Sequence, residues 1–335
     1  MTSIDSHPGR ASAFMRILPG LGLALAIALV ALVGQRLSGI AALSPLVVAM
    51  VLGMAVRNLA GTPAVLRPGI TFCLRRILRL AIVALGFQLT LGQLREVGLA
   101  GLGVIVVTLV LTFLVTRRAG RWLGVGPELS ELIAAGTAVC GASAVIATNT
   151  VTRGSDEDVA YAIACVTVFG SASMLLFPVL GAALGLDAAH YGIWVGASIH
   201  EVAQVVGAAF QHGPEAGQTA TVVKLGRVML LAPLILALGA AARRRGGEGQ
   251  GCAPTPWFVL GFIAVMLANS AWPLSPEARA TAGLATSFLL TVALAAMGLE
   301  TDIGRLRARG IRPLALGAVG WLFVSVLALG LVALI

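Results

Sequence analysis

Ionisable and amide side chains lie inside two neighbouring apolar runs of this sequence. In the first run, "GASIHEVAQVVGAAF", His200, Glu201 and Gln204 interrupt the apolar residues. His200 and Gln204 are four residues apart and would share one face of a helix. The second run, "TVVKLGRVMLL", carries Lys224 and Arg227, which project to one side of a helix. Ionisable residues inside membrane segments commonly mark substrate or ion pathways, so we interpret these five as a candidate binding site.

The chemistry that suits these side chains is the binding of a small, doubly charged, hydrated oxyanion. Two cations and nearby hydroxyls can replace its water with donors from several directions. His200 and Glu201 are suited to carrying a proton, because imidazole and carboxyl groups can titrate near neutral pH when they are buried beside charges. Two alternatives stay open: Lys224 could snorkel to the membrane surface, and Glu201 could pair with Arg227 for stability alone.

A further stretch, "AAGTAVCGASAVIATNTV", is long enough to cross a bilayer but is rich in small and polar residues. Gly136 and Gly141 each weaken a helix by up to about 1 kcal/mol relative to alanine. A helix broken here would aim its backbone amides at a ligand, whereas an unbroken one would use its small residues for close packing. The Gly-Ala-Ser sequence recurs at Gly196, before the ionisable pair, and this favours the break. The remaining candidate binding residues are Thr137, Gly141, Ser143, Thr148, Asn149 and Ser198.

Composition sets the class of protein that must position these residues. The chain has 335 residues, of which 58% are hydrophobic and 11% charged, against about 25% charged in soluble domains. We therefore predict an all-α polytopic membrane protein whose partner is the lipid bilayer. The net charge of +9 comes from basic residues between apolar runs, so we expect no nucleic-acid partner. The four cysteines form no CxxC pair, and we expect no metal and no cofactor.

The apolar runs predict eleven membrane segments. Their approximate ranges are 17–35, 43–60, 75–91, 96–116, 130–150, 157–184, 188–211, 217–241, 256–274, 280–299 and 311–334. Every second connection is rich in arginine, which predicts a cytoplasmic N-terminus. If the fifth and seventh segments were re-entrant hairpins entering from opposite sides, every basic connection would still be inside. The connection at 153–158 would then be cytoplasmic.

An internal repeat accompanies this pattern. The stretch "AIVALGFQLTLGQLREVG" (81–98) aligns with "ALAAMGLETDIGRLRARG" (293–310) at an offset of 212 residues (293 − 81). The copies belong to the third and tenth segments, so they run in opposite directions, as in many secondary transporters. We treat 1–335 as a single membrane domain with repeat-related pieces at about 43–116 and 256–334. The discontinuous core segments are about 130–184 and 188–241.

The strings "GTAVCGASAVIA", "DEDVAYAIACVTVFGSASMLLFPVLG", "GIWVGASIHEVAQVVGAA" and "GLETDIGRLRARGIRPL" carry a family resemblance. The chain resembles the bacterial sulfate exporter family, and more distantly the superfamily of cation/proton antiporters and bile-acid-type anion transporters. The resemblance implies a multi-pass protein of the bacterial inner membrane, with a core moving against a panel. It also implies discontinuous elements at 136–150 and 196–207, and by analogy a homodimer.

Together these observations predict a secondary transporter of a small inorganic anion, sulfate or a related sulfur oxyanion, with proton coupling. The sulfate assignment comes from the resemblance. One alternative is an organic-anion transporter coupled to Na⁺ or H⁺. A membrane-embedded enzyme using Cys140, His200 and Glu201 is the other, but no sequence signature links Cys140 to His200, and we expect no enzymatic activity.

Overall fold

All regular secondary structure is helical in the part of the chain that the computed structural model describes, residues 10–38, 44–244, 257–304 and 310–335. These ranges hold α1 (Arg10–Ser38), α2 (Pro45–Leu59), α3 (Arg67–Phe72), α4 (Leu78–Leu85), α5 (Leu91–Trp122), α6 (Pro127–Ala138), α7 (Ala142–Thr152), α8 (Asp156–Ala183), α9 (Ala188–Ser198), α10 (Val202–Ala209), α11 (Pro214–Met229), α12 (Leu231–Arg244), α13 (Trp257–Ala271), α14 (Pro276–Glu300) and α15 (Ile311–Val332). A π-helical turn, Cys73–Ile77, joins α3 to α4. Cys252 and the arginines at 305–309 lie outside the described residues.

Among the described residues, six helices are long and apolar enough to cross a membrane. They are Met15–Leu37, Gly98–Trp122, Asp156–Ala183, Pro214–Arg244, Pro276–Glu300 and Ile311–Val332. Two shorter helices, Pro45–Leu59 and Trp257–Ala271, are also apolar. The predicted class, a helical membrane protein, is therefore confirmed. The total of eleven segments remains a prediction.

Some helix boundaries differ from the predicted ones. The third predicted segment starts at residue 75, whereas the helix begins at Arg67, because a proline in its first turn suits a helix start. Gly98 interrupts α5 with non-helical angles (φ 59°, ψ −169°), so the long apolar part of α5 begins there. Glycine accepts such a left-handed φ without a steric penalty.

The chain divides into two units. The first contains the described residues up to Ile82 together with Gly283–Thr301, and the second contains Val83–Ala282 and Asp302–Ile335. In the first unit, glycines bring helix backbones into direct contact. A side chain on Gly20 of α1 would collide with the backbone around Gly69 of α3, and the same holds between Gly53 of α2 and Gly298 of α14.

The second unit contains both sites where a helix break was predicted. α6 ends at Ala138 and α7 begins at Ala142, while α9 ends at Ser198 and α10 begins at Val202. Both breaks are therefore present, and each spans three residues. Gly136 lies inside α6 instead of in the break, where a Cβ would meet the side chains of its neighbours at 2.8 Å.

The two aligned copies of the predicted repeat make matching contacts, each within its own unit. Gly86 ends the helix of the first copy, and a Cβ there would lie 2.7 Å from the carbonyl oxygen of Phe262 in α13. Gly298, the aligned residue of the second copy, leaves no room between α14 and the backbone of Met50 in α2. A close helix crossing thus requires glycine at the same position of both copies.

Candidate functional site

The first broken segment folds back on itself. The hydroxyl of Thr152, at the end of α7, donates a hydrogen bond of 2.8 Å to the carboxylate of Glu131, near the start of α6. If α6 and α7 continued in one direction, these residues would be about 30 Å apart at 1.5 Å per residue. The segment is therefore a re-entrant hairpin, hairpin 1 (residues 127–152), and tip 1 is its break (residues 139–141).

The second broken segment folds back in the same way. The hydroxyl of Tyr191, in the first turn of α9, donates to the carbonyl oxygen of Ala208 near the end of α10, at 3.4 Å. The ring of His212 packs on Tyr191 with centroids 4.3 Å apart. We name this segment hairpin 2 (residues 188–209), and tip 2 is its break (residues 199–201). The choice between crossing and re-entrant segments, left open by the sequence, falls to re-entrant hairpins.

Helix α11 lies against α9 at backbone distance. A Cβ on Gly192 would lie 2.8 Å from the carbonyl oxygen of Ala216, and one on Gly196 would lie 2.5 Å from that of Ala220. The contacts follow the same order along both helices, so α9 and α11 are parallel. Small residues four apart allow this approach in membrane helices. The next turn of α11 consequently brings Lys224 to tip 2.

Lys224 joins the two tips. Its ammonium group donates hydrogen bonds of 2.7 Å to the carbonyl oxygens of Val139 in tip 1 and Ile199 in tip 2. The residue is fully buried, so it does not snorkel, and that interpretation was wrong. It is also the only lysine in the chain, and the other 22 of its 23 Lys and Arg residues are arginine. A compact ammonium with three donors suits a narrow space between two carbonyls better than a planar guanidinium does.

Arg227, one turn further along α11, binds the carbonyl ends of both incoming half-helices. Its guanidinium donates to the oxygens of Thr137 at 2.9 Å, Ala138 at 2.6 Å and Ala197 at 2.6 Å. The last carbonyls of a helix lack intrahelical partners and carry partial negative charge. The predicted cationic pair is therefore present, but it caps the C-termini of α6 and α9 instead of presenting free charge to an anion.

Glu201 connects tip 2 to the start of α7. Its carboxylate accepts a hydrogen bond of 3.3 Å from the amide of Ala142. Gly141 has a left-handed φ of 65°, and a Cβ there would lie 2.5 Å from the Glu201 side chain. No salt bridge joins Glu201 to Arg227 in the described part of the chain, so the stability pairing considered for them is absent.

His200 and Gln204 occupy different structural positions, because the break ends at Glu201 and α10 begins at Val202. The expectation that they share a helix face was therefore wrong. Gln204 is fully hydrogen-bonded: it accepts from the Glu201 amide and donates to α8. His200 is 1% exposed, and neither ring nitrogen has a hydrogen-bond partner among the described residues.

Comparison with known proteins places this chain in a family. The family model described as Conserved hypothetical protein 698 matches residues 19–317. The chain belongs to this family. A UPF0324 membrane protein of Bordetella bronchiseptica is 40% identical over 291 residues, covering 83% of this chain and 90% of the relative. The UPF0324 membrane protein TauZ of Paracoccus pantotrophus is 36% identical, covering 89% and 90%. The UPF0324 inner membrane protein YeiH of Escherichia coli is 35% identical, covering 92% of both chains. No solved structure shows significant similarity.

The remaining predicted site residues of this family member are spread along hairpin 1. Ser143 is exposed in the first turn of α7, beside tip 1. Thr148 is fully buried and lies about 10 Å further along the helix. Asn149 lies near the far end, where its amide bonds both backbone groups of Gly154. Asn149 and Thr148 therefore lie away from the tips, because each residue of α7 adds about 1.5 Å.

Two further predicted residues serve the half-helices themselves. The carbonyl of Thr137, and not its hydroxyl, holds Arg227. The hydroxyl of Ser198 donates 2.5 Å to the carbonyl of Trp194 within α9. Sequence reasoning missed the contact of Gln204 with α8, where the backbone carbonyl of Thr167 and the hydroxyl of Ser171 accept from Gln204 at 3.0 and 3.3 Å. The small polar side chain of Ser171 in an apolar helix was the available signal.

The described residues offer no metal cluster, and a cavity beside α6 contains no predicted site residue. Within the described ranges, no group of three or more His, Cys, Asp or Glu side chains could hold a metal ion. A cavity of about 520 Å³ opens beside the start of α6, lined by Glu128, Asp158 and Arg312 among others. None of its lining residues is a predicted site residue. The candidate site is therefore the meeting point of the two tips and α11.

Proposed function

We propose that this membrane protein is a secondary transporter of a small inorganic anion, sulfate or a related sulfur oxyanion, working by alternating access. The observation that carries the proposal is that two hairpins end in broken tips held together by the buried cations of α11. Interrupted backbone at membrane depth is tolerated where it is buried in protein or lines a cavity, and transporters place their substrates at such half-helices.

The accessible part of the tips favours an anion. Ser143, in the first turn of α7, is exposed, and Glu201 beside it is partly exposed, whereas Lys224 and Arg227 are fully buried. The free amides of a helix start bind anions, and a hydroxyl adds a further donor. Lys224 and Arg227 would attract an anion through their positive charge, while their N–H groups donate hydrogen bonds to backbone carbonyls of the hairpins.

The topology is also that of a carrier. With both hairpins re-entrant, counting the crossing helices along the chain predicts that the connection at 153–158 and the arginine-rich connections after α2, α5 and α12 face the same side. The positive-inside rule makes that side cytoplasmic. The matching glycine contacts of Gly86 and Gly298 support the predicted repeat, whose copies would run in opposite directions by the segment count. Inverted repeats are typical of secondary transporters.

Coupling to Na⁺ is the less favoured alternative. A sodium site at the tips would need backbone carbonyls and carboxylates free to bind a hard cation. The carbonyls of Val139 and Ile199 instead accept hydrogen bonds from Lys224. An enzymatic role is also not supported, since His200 makes no hydrogen bond to Cys140 or to any other described group.

The test is transport by the purified full-length protein in liposomes. Labelled sulfate, sulfite and small organic acids are offered under imposed pH or Na⁺ gradients, with protein-free liposomes as the control. We expect uptake of a sulfur oxyanion that an H⁺ gradient accelerates and a Na⁺ gradient does not. Na⁺-driven uptake of an organic acid would favour the alternative, and no uptake of any solute would refute the proposal.

A further inference from the structure

The start of α7 already binds a carboxylate, that of Glu201 from the protein itself. The carboxylate of Glu201 accepts from the amide of Ala142, the first residue of that helix, at 3.3 Å. Gly141 makes this approach possible, because any side chain there would overlap Glu201. A carboxylate from one hairpin therefore occupies the anion-binding end of the other.

The buried imidazole beside it points to a ligand that completes the site. His200 directly precedes Glu201 in tip 2 and lies close enough to Lys224 and Arg227 to interact with both charges. Both of its ring nitrogens lack a hydrogen-bond partner in the part of the chain that is described. Buried polar groups in proteins are normally hydrogen-bonded, so the two unpartnered ring nitrogens next to Glu201 point to a partner that the described residues do not supply.

The fixed charges around the tips set the charge of that ligand. Lys224 and Arg227 add two positive charges, and the C-termini of α6 and α9 remove about 0.5 each. The N-termini of α7 and α10 add about 0.5 each. With Glu201 ionised, about one positive charge remains, and with Glu201 protonated about two remain. A dianion is thus balanced only when Glu201 carries a proton.

The other groups facing Glu201 do not change this count. Cys140 of tip 1 is a thiol and His200 is counted here in its uncharged form, and α8 contributes the non-titrating Thr167. The buried residues of α15, which packs beside α9, are likewise non-titrating.

We propose that Glu201 is a tethered counter-anion at the start of α7, which a substrate dianion displaces only when Glu201 takes up a proton. The proposal rests on anion transport as the function. The proton comes from water on the side where the substrate binds and returns to water on the side of release. Each dianion then moves with one proton, and the site discriminates against dianions at alkaline pH.

The experiment measures binding of labelled sulfate to the purified full-length protein between pH 5 and 8. Above the pH at which Glu201 titrates, we expect wild-type affinity to fall about tenfold per pH unit, the slope for one linked proton. The affinity of Glu201→Gln for sulfate should be the same at every pH in this range. Glu215→Gln, which removes an exposed carboxylate at the other end of α11, should keep the wild-type slope.

A second measurement covers the case in which Glu201→Gln does not fold. Sulfate is added to wild-type protein in weakly buffered solution with a pH indicator, at a pH where its affinity falls with rising pH, and uptake of about one proton per bound sulfate is expected. Sulfate binding without proton uptake, or a wild-type slope in Glu201→Gln, would overturn this inference and leave anion transport standing. If wild-type protein binds neither sulfate nor sulfite at any pH, the proposed function itself fails.

Discussion

Asn58 and Asn269 make the same hydrogen bond at corresponding places in the two halves of the chain. The side-chain amide of Asn58, in α2, donates to the carbonyl of Thr301 at 2.9 Å, and that of Asn269, in α13, donates to the carbonyl of Leu89 at 2.9 Å. Thr301 and Leu89 are aligned in the repeat, and the two asparagines are 211 residues apart (269 − 58). Each asparagine thus holds the end of a repeat helix after its glycine crossing.

Burial should make the two asparagines unequal. Asn269 is 5% exposed, whereas Asn58 is exposed, so water can replace the amide only at Asn58. Replacing Asn269 by alanine should lower the free energy of unfolding by about 2 kcal/mol, and Asn58→Ala by about 1 kcal/mol. Denaturant unfolding in detergent micelles measures both. Equal losses would show that burial does not set the cost.

The hairpins predict which side of the membrane each connection faces. Asp156 and Glu215 are exposed residues after hairpin 1 and hairpin 2. A cysteine at Asp156 should react with an impermeant reagent only from the cytoplasm, and one at Glu215 only from outside. The parent for both should lack native cysteines. Labelling of both from outside is the result that full crossing would give.

Lys224 should not be replaceable by arginine. Lys224→Met leaves the tip carbonyls without donors and should cost about 3 kcal/mol. Lys224→Arg keeps the charge but brings a planar group into the space of an ammonium, so we expect a lower melting temperature as well. Arg244→Lys, at an exposed position, is the matched control and should melt like the wild type.

The Arg244→Lys control also tests whether Lys224 is buried. In folded Arg244→Lys, an amine reagent should modify position 244 and leave Lys224 intact until the protein is unfolded, as peptide mass spectrometry would reveal. Rapid modification of Lys224 in the folded protein would contradict its place between the tips.

The α9–α11 crossing should not tolerate a methyl group. Gly196→Ala places a Cβ 2.5 Å from the carbonyl oxygen of Ala220, so the helices must separate and the cations of α11 shift from the tips. A loss of about 1–3 kcal/mol in unfolding free energy is expected. Gly103→Ala is the control, since nothing lies within 4 Å of that position. If both variants unfold alike, the close crossing is not needed.

The stability that the N-cap of α9 contributes, at the end of hairpin 2 away from tip 2, should depend on pH. Asp187 caps α9, and hydrogen bonds from the backbone and ring of His190 hold the pKa of this carboxyl below its usual value. A lowered pKa stabilises the fold above about pH 4 and ceases to do so as the pH falls through the folded-state value. Asp187→Ala should cost about 1 kcal/mol at pH 7.

That cost should shrink when thermal unfolding is repeated near pH 3. Asp187→Asn keeps a neutral cap and should lose only the pH-dependent part. A difference between wild type and Asp187→Ala that stays constant from pH 7 to pH 3 would mean that the carboxyl charge contributes nothing.

Local composition was enough to predict the helices and their breaks. Apolar runs of membrane length predicted helical spans, and glycines predicted the break that precedes Ala142. The direction of the chain after each break was not predictable. It depends on contacts such as that between Thr152 and Glu131, 21 residues apart (152 − 131), which no local pattern encodes.

The sequence predicted which residues form the site, but it did not predict the hydrogen bonds that they make. His200, Glu201, Lys224 and Arg227 do meet at the tips. The cations, however, bind backbone carbonyls, and these become free only once the helices have ended. Side-chain types cannot reveal such partners. Asn149 was misplaced for a related reason, because its distance from the tips follows from the helix that separates them.

Helix α11 is bonded to both hairpins through the same two side chains. Neither tip can open without breaking bonds that also secure the other. A transport cycle built on this arrangement would expose its solute to each side by displacing both hairpins and α11 as a single rigid body. Such a cycle has no separate inner and outer gates, and its speed would be set by how easily that body slides through the surrounding lipid and protein.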